Sequence, residues 1–357
     1  MSKKIVLTGG GTAGHVTPNL ALVPSLQEAG YEIRYIGSIT GIEKKLVEEC
    51  GIPYTAVETG KFRRYFDPKN FSDPFRVVKG FFQARRFLKQ FRPDVVFSKG
   101  GYVSVPVVQA ASLLGIPCIC HESDMTPGLA NKLCAPFAKK ICCNFPETMK
   151  DLPADKAVLT GTPIRGELLR GSRKAGLSFC GFDDNKPVLM VIGGSLGAAS
   201  INKTVRDNIH ALLQDFQVVH ICGKDKVDNL MLTIPGYRQF EYIGEELGDL
   251  YAMADIVISR AGANVICELL ALKKPNILVP LPTGRGDQKL NARSFEQRGY
   301  SIYVDDDALP DVLVDKVHEL YKDREQYIRA MESSSQINST SIIMDLINRY
   351  AGNQSSD

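Results

Sequence analysis

Apolar runs of strand length recur through the first part of the chain: KKIVLTG, YEIRYIG, DVVFSKG, IPCICHE and KKICCNF. Helix-length segments such as Asn19 to Ala29 lie between several of them. That alternation predicts a parallel sheet built from βαβ units. A second series begins at Lys186, with KPVLMVIGG, FQVVHICG, FEYIGE, DIVISRAG, PNILVPLP and YSIYVDD. The chain thus reads as α/β, with two Rossmann-like sheets in succession. At 357 residues it exceeds what one hydrophobic core usually serves.

The stretch Gly161 to Gly176 (GTPIRGELLRGSRKAG) is rich in glycine and charge and poor in strand pattern, which places a hinge near Pro163. The expected organisation is an N-terminal domain over 1–163, a C-terminal domain over 164–337 and a terminal helix over 338–357, with a cleft between the domains. Residues 308–323 and 324–350 carry helical spacing, and the tail Gly352 to Asp357 is polar and expected to fray. Gly100 to Cys120 has no charge over nearly the length of a membrane span. Pro106, Gly115 and Pro117 divide it into a short buried helix and a buried strand instead.

Composition narrows the class. The chain is 44% hydrophobic and 23% charged, which fits a folded soluble protein and excludes a disordered or fibrous one. Most of the nine cysteines lie in apolar runs without CxxC pairing, as expected of reduced core residues in a cytosolic protein. MSKKIVLTGGG leaves no room for the apolar stretch of a signal peptide.

The first strand of each series ends in a glycine turn, GGGTAG at Gly9 and GGSLG at Gly193, and a third turn, RAGAN, starts at Arg260. Each is expected to open a helix whose exposed N–H groups attract a phosphate or diphosphate. A nicotinamide site is disfavoured, because YEIRYIGS does not end in the acidic residue that would hold a ribose hydroxyl. His15 follows the first turn directly and is a candidate general base for a hydroxyl; a helix-start hydrogen bond is its structural alternative. His121 ends a strand, while His210, His220 and His318 read as surface or packing residues. Glu268 stands out among Val265, Ile266, Cys267, Leu269 and Leu270, and such a carboxylate could accept two sugar hydroxyls or join a surface salt bridge. The loop Thr283 to Gln288 brings polar groups to the same edge.

Taken together, GGGTAGHVTPNLAL, SKGGYVSVPV, HESDMTPGLAN, GTPIR, GGSLGA, SRAGANVICEL and GDQKLNA resemble the N-acetylglucosaminyltransferases of peptidoglycan synthesis (the MurG family) over nearly the whole chain. The resemblance implies a GT-B fold and an inverting transfer from UDP-GlcNAc to the 4-hydroxyl of the N-acetylmuramoyl-pentapeptide of lipid I, giving lipid II. By that similarity Arg165, Ser195, Ile243, Ala263, Asn264, Val265, Glu268 and Gln288 fall at donor-binding positions, with Ser195 near the diphosphate and Glu268 on the ribose. Thr12, Ala13, Gly14, His15, Asp124 and Asn131 complete the site from the N-terminal side, with His15 as base. Relatives carry HEQN where this chain has HESD, so Asp124 replaces an amide; Asp287 stands where glutamine is common. No DxD-like carboxylate pair marks a metal site, so no tightly bound ion is expected, though a divalent ion could stimulate without being essential. A lipid glycosyltransferase with another acceptor, such as diacylglycerol, and a UDP-sugar epimerase of similar fold are the alternatives.

Residues 61–92 hold ten Lys or Arg against Asp67 and Asp73, an excess of eight, so the rest of this +3 chain carries minus five. The same stretch holds eight of the 16 phenylalanines: Phe62, Phe66, Phe71, Phe75, Phe81, Phe82, Phe87 and Phe91. Such a segment suits an anionic membrane surface, single-stranded nucleic acid or a partner groove. A polyprenyl-linked acceptor favours the membrane over nucleic acid and implies a peripheral protein on the cytoplasmic face. Half of the phenylalanines could instead pack beneath a solvated basic face.

Overall fold

The computed structural model describes residues 3–60, 69–194, 197–283 and 286–352. They form two compact units, one of residues 1–165 with 338–357 and one of residues 166–337.

The first unit runs β1 (Lys3–Thr8), α1 (Ala13–Glu28), β2 (Tyr31–Ser38), α2 (Ile42–Glu49), β3 (Tyr54–Val57), α3 (Lys69–Phe91), β4 (Val95–Ser98), α4 (Ser104–Leu113), β5 (Cys118–Glu122), α5 (Leu129–Cys134), β6 (Lys140–Cys143) and β7 (Ala157–Leu159). The second runs α6 (Arg173–Cys180), β8 (Val188–Ile192), α7 (Ala199–Asp207), α8 (Ile209–Asp215), β9 (Gln217–Ile221), β10 (Tyr237–Phe240), α9 (Leu247–Met253), β11 (Ile256–Ser259), α10 (Ala263–Ala271), β12 (Asn276–Leu278), α11 (Asp287–Gln297), β13 (Ser301–Tyr303) and α12 (Leu309–Glu332). The last helix, α13 (Ser339–Gly352), belongs to the first unit. Its Ile343, Met344 and Ile347 pack with Ile5, Leu7 and Leu22, Tyr31 donates to Asn348 Oδ1 at 2.9 Å, and Ser339 donates to the Thr162 carbonyl at 2.7 Å.

The sheet orders are β3-β2-β1-β4-β5-β6-β7 and β10-β9-β8-β11-β12-β13, and every pairing is parallel. Central strands such as β4, β8, β9 and β11 are buried at every position, as helices on both faces require. Strand order reverses direction between β1 and β4 in the first sheet and between β8 and β11 in the second. At such a point consecutive loops diverge beyond the strands' carboxyl ends and leave a crevice for ligands. The first glycine turn and the loop after β4 meet at one reversal; the Gly193 turn and the Arg260 turn meet at the other. Together these are the two Rossmann-like domains of a GT-B fold.

Three expectations change. The sheet edges β3 and β7 are added strands. The tenth strand covers Tyr237–Phe240 rather than FEYIGE, because it pairs with β9 from Tyr237↔Val218 to Phe240↔Ile221 and alternates buried and half-buried positions as an edge strand. The helical segments 308–323 and 324–350 divide at Ser333 instead, since no Gly or Pro near Asp323 interrupts the backbone ladder. Gly100 to Cys120 contains α4 and β5, and no helix among the described residues is long and apolar enough to cross a membrane.

Candidate active site

His15 is the third residue of α1, behind Thr12 and Ala13, which are exposed, and Gly14. Its Nδ1 lies 3.1 Å from the Lys99 carbonyl at the end of β4. A carbonyl only accepts, so Nδ1 carries the proton and the neutral ring keeps a bare lone pair on Nε2. Burial pulls the imidazole below its ordinary value of 6.5, Lys99 pulls the same way, and Asp124 and Glu43 oppose them. The ring is therefore neutral at neutral pH and able to accept a proton.

The glycine turn before His15 is not a free phosphate cradle. Gly10 N–H donates to the Gly100 carbonyl at 3.3 Å and Gly11 N–H to Glu43 Oε2 at 3.2 Å. Glu43, fully buried at the start of α2, also accepts from the backbone N–H of Ser38 at 3.1 Å and from its hydroxyl. A carboxylate behind the turn disfavours a phosphate there, which corrects the expectation drawn from the glycines alone. Gly101 closes the same crevice: its φ is +82°, and a Cβ would stand 2.1 Å from the Gly10 carbonyl oxygen.

Asp124, half-buried, follows β5, and Asn131 is buried in α5. Glu122 organises both, accepting from Asp124 N–H, Gly128 N–H and Asn131 Nδ2, each at 2.9 Å. Asn131 Nδ2 also reaches the His121 carbonyl at 3.1 Å, whereas its buried Oδ1 has no hydrogen-bond partner. His15, Asp124 and Asn131 thus converge at the β1/β4 reversal. Arg165, half-buried, is the last residue of this unit before the chain enters the second.

In the second unit Ala263, Asn264 and Val265 form the first turn of α10, and Glu268 follows within the same helix; all four are half-buried. Ile243 is buried in the loop after β10. Gln288, in the first turn of α11, accepts from Leu281 N–H at 2.9 Å and so shapes the loop after β12. Ser195 lies outside the described residues. The Arg260 side chain is committed internally: it donates to the Val279 and Pro280 carbonyls at 3.1 and 3.3 Å, to Ser200 Oγ at 2.8 Å and to Asp306. The Arg260 turn therefore offers backbone, not a guanidinium, to a ligand. Asn291 ties α11 to the same turn through the Ala261 carbonyl at 3.1 Å. Of the supporting residues Glu43, Glu122 and Asn291, only Glu122, closing the apolar run IPCICHE, stands where the sequence marks it; Glu43 and Asn291 lie in polar helical stretches. Among the described residues no group of three His, Cys, Asp or Glu is placed to hold a metal ion.

Residues 5–143 match the glycosyltransferase family 28 N-terminal domain and residues 188–347 its C-terminal domain. A UDP-N-acetylglucosamine--N-acetylmuramyl-(pentapeptide) pyrophosphoryl-undecaprenol N-acetylglucosamine transferase of Lachnospira eligens is 62% identical over 348 residues, 97% of this chain and 98% of the relative. The protein of the same name from Clostridium botulinum is 58% identical over 351 residues, 98% of this chain and 99% of its own. Among solved structures, Acinetobacter baumannii MurG superposes with a TM-score of 0.77 at 27% identity, covering 97% of this chain and 99% of that one. A UDP-N-acetylglucosamine 2-epimerase shares the fold alone, at a TM-score of 0.65 and 14% identity, covering 98% of this chain and 97% of the other. The chain belongs to glycosyltransferase family 28 and, within it, to the MurG family of N-acetylglucosaminyltransferases.

Proposed function

We propose that the protein transfers GlcNAc from UDP-GlcNAc to the 4-hydroxyl of the muramoyl-pentapeptide of lipid I, forming lipid II with inversion, and that His15 is the base. The observation carrying the base assignment is the bond from His15 Nδ1 to the Lys99 carbonyl, which leaves Nε2 bare at the β1/β4 reversal. As the acceptor oxygen attacks the anomeric carbon from the face opposite UDP, its proton passes to Nε2. The bond from that carbon to the diphosphate oxygen breaks, and UDP leaves. Inversion of the α-linked donor gives a β-1,4 bond. Asn131 Oδ1 accepts from an acceptor hydroxyl, a partner its buried position lacks. Asp124 also serves as an acceptor there, a role a carboxylate fills where an amide would have donated.

On the second unit, Ile243 packs on the uracil, Glu268 takes the ribose hydroxyls, and Ala263, Asn264, Val265 and Gln288 line the donor. Backbone N–H groups of the Gly193 turn, with Ser195 and Arg165, stabilise the diphosphate charge as it develops. The reading needs no tightly bound ion; a divalent ion would stimulate at most.

The protein works peripherally on the cytoplasmic face of the membrane, through residues 61–92. Support comes from α3, where Phe75 and Phe82 are 79% and 61% exposed and Val78 lies between them on the same face, beside exposed Arg76, Lys79, Arg85, Arg86 and Lys89. Phe81, Phe87 and Phe91 pack inward against the core, so part of the aromatic set is structural. Phe62 and Phe66 lie outside the described residues. The test of the base is transfer of labelled GlcNAc to a lipid I analogue: His15→Ala should lose about 10²–10⁴ of turnover while still binding UDP-GlcNAc by calorimetry. Undiminished turnover removes His15 from the mechanism.

A further inference from the structure

The residue whose carbonyl holds His15 carries a side chain that the reaction does not yet use. Lys99 is fully buried, at 0% exposure. Its ammonium donates to His121 Nδ1 at 2.7 Å, Ser123 Oγ at 2.7 Å and Thr162 Oγ1 at 3.2 Å. Burying a lysine head group is unfavourable unless its environment is built for it. Here each acceptor is held in turn. His121 donates through Nε2 to the Gly161 carbonyl at 2.8 Å, which leaves Nδ1 free to accept from the lysine. Thr162 donates to Asn144 Oδ1 at 2.8 Å, and Asn144 Nδ2 donates to the Ser123 carbonyl at 3.0 Å. The network joins the ends of β4, β5 and β7, one residue from Asp124 and, through the His121 carbonyl, one bond from Asn131.

We propose that Lys99 is a positioning residue for the transfer: its carbonyl fixes the His15 ring with Nε2 bare, and its buried ammonium, anchored to His121, Ser123 and Thr162, places a fixed positive charge at the same strand end. The inference rests on His15 being the base. Four ionisable groups face the imidazole: Lys99 from the end of β4, His121 from β5, Asp124 from the loop after β5, and Glu43 from α2. Asp124 and Glu43 stabilise imidazolium. Burial and Lys99 oppose them and prevail for His15. His121 is held well below its ordinary value by burial and the same lysine, so it adds no charge of its own. A protonated His15 could not take the hydroxyl proton, so the lysine sets how far below neutrality the site still works.

The experiment is the pH profile of kcat/KM for wild type, Lys99→Met, Lys99→Gln and Lys99→Arg, with labelled UDP-GlcNAc and a lipid I analogue. Removing a nearby positive charge eases protonation of His15. The acid limb should therefore move up by about one pH unit in the two neutral variants and stay near the wild-type position in Lys99→Arg. At pH 8.5 and above the neutral variants should recover to within about tenfold of wild type. A uniform loss at every pH, with the limb in place, would show that Lys99 only supports the fold and would overturn the proposal. Where the variants fail to fold, nitrogen NMR of wild-type His15, assigned by comparison with His15→Gln, decides the carbonyl's part. The proton should sit on Nδ1, and an Nε2–H tautomer refutes it. Full activity in His15→Ala would be a different failure, that of the base assignment itself.

Discussion

Replacing Gly101 with alanine tests whether the crevice around His15 depends on backbone packed against backbone. Its φ of +82° disfavours a side chain by about 1–2 kcal/mol. The added Cβ would also stand 2.1 Å from the Gly10 oxygen, a backbone atom that cannot rotate away, and overpacking of this kind adds about 1–3 kcal/mol. Gly115 is the control, because its φ is +75° while nothing lies within 4 Å of its Cβ position. Gly115→Ala should therefore lose about 1–2 kcal/mol in urea unfolding, and Gly101→Ala about 2–5 kcal/mol. The variants should differ more in chemistry. Pushing Gly10 away displaces the turn that leads into His15, and an ångström of misplacement can cost about a hundredfold in rate. Gly101→Ala should lose about that much in kcat/KM, with UDP-GlcNAc binding retained, while Gly115→Ala stays near wild type. Equal losses of stability and rate in the two variants would refute the close-packing argument.

Two further outcomes follow. His220 donates through Nε2 to Asn202 Oδ1 at 3.0 Å and accepts through Nδ1 from Tyr237 at 2.8 Å, and burial pushes its value down to about 3. A histidine kept neutral in the fold but protonated in the unfolded chain makes stability fall as pH drops below about 6.5 and continue falling toward 3, by at most about 1.4 kcal/mol per unit. Urea midpoints of wild type and His220→Gln from pH 7 to 4 check this, with the variant expected to show the flatter slope. At the proposed membrane face, Phe75→Ser with Phe82→Ser should weaken sedimentation with anionic vesicles at least fivefold and leave transfer to a water-soluble acceptor analogue near wild type. Unchanged vesicle binding would place the contact elsewhere.

Much of the fold is legible in the sequence because interior strands of a parallel sheet are buried on both faces and write continuous apolar runs. VLMVI and IVIS are examples. Edge strands do not: YTAV in β3 and AVL in β7 are mostly half-buried or exposed, and YRQF in β10 alternates, so two were missed and one was displaced. The active-site residues nearest the glycine turn were legible as types, yet their partners were not. Lys99 sits within DVVFSKG, where a charged residue at a strand's end looks like a solvated terminus. Only the β4 to β5 pairing, which brings Ser98 beside Cys120, shows that its side chain runs inward to His121. At the Arg260 turn the sequence shows the guanidinium beside the glycine but not its partner, Asp306 from beyond β13.

The most direct measurement is the structure of the product formed by wild-type protein from UDP-GlcNAc and lipid I, read by NMR of the new anomeric proton together with UDP release. The account predicts a β-1,4-linked GlcNAc on the muramoyl unit and one UDP per linkage formed. An α linkage, no product unless another nucleotide sugar is supplied, or conversion of UDP-GlcNAc to its 2-epimer without transfer would contradict it.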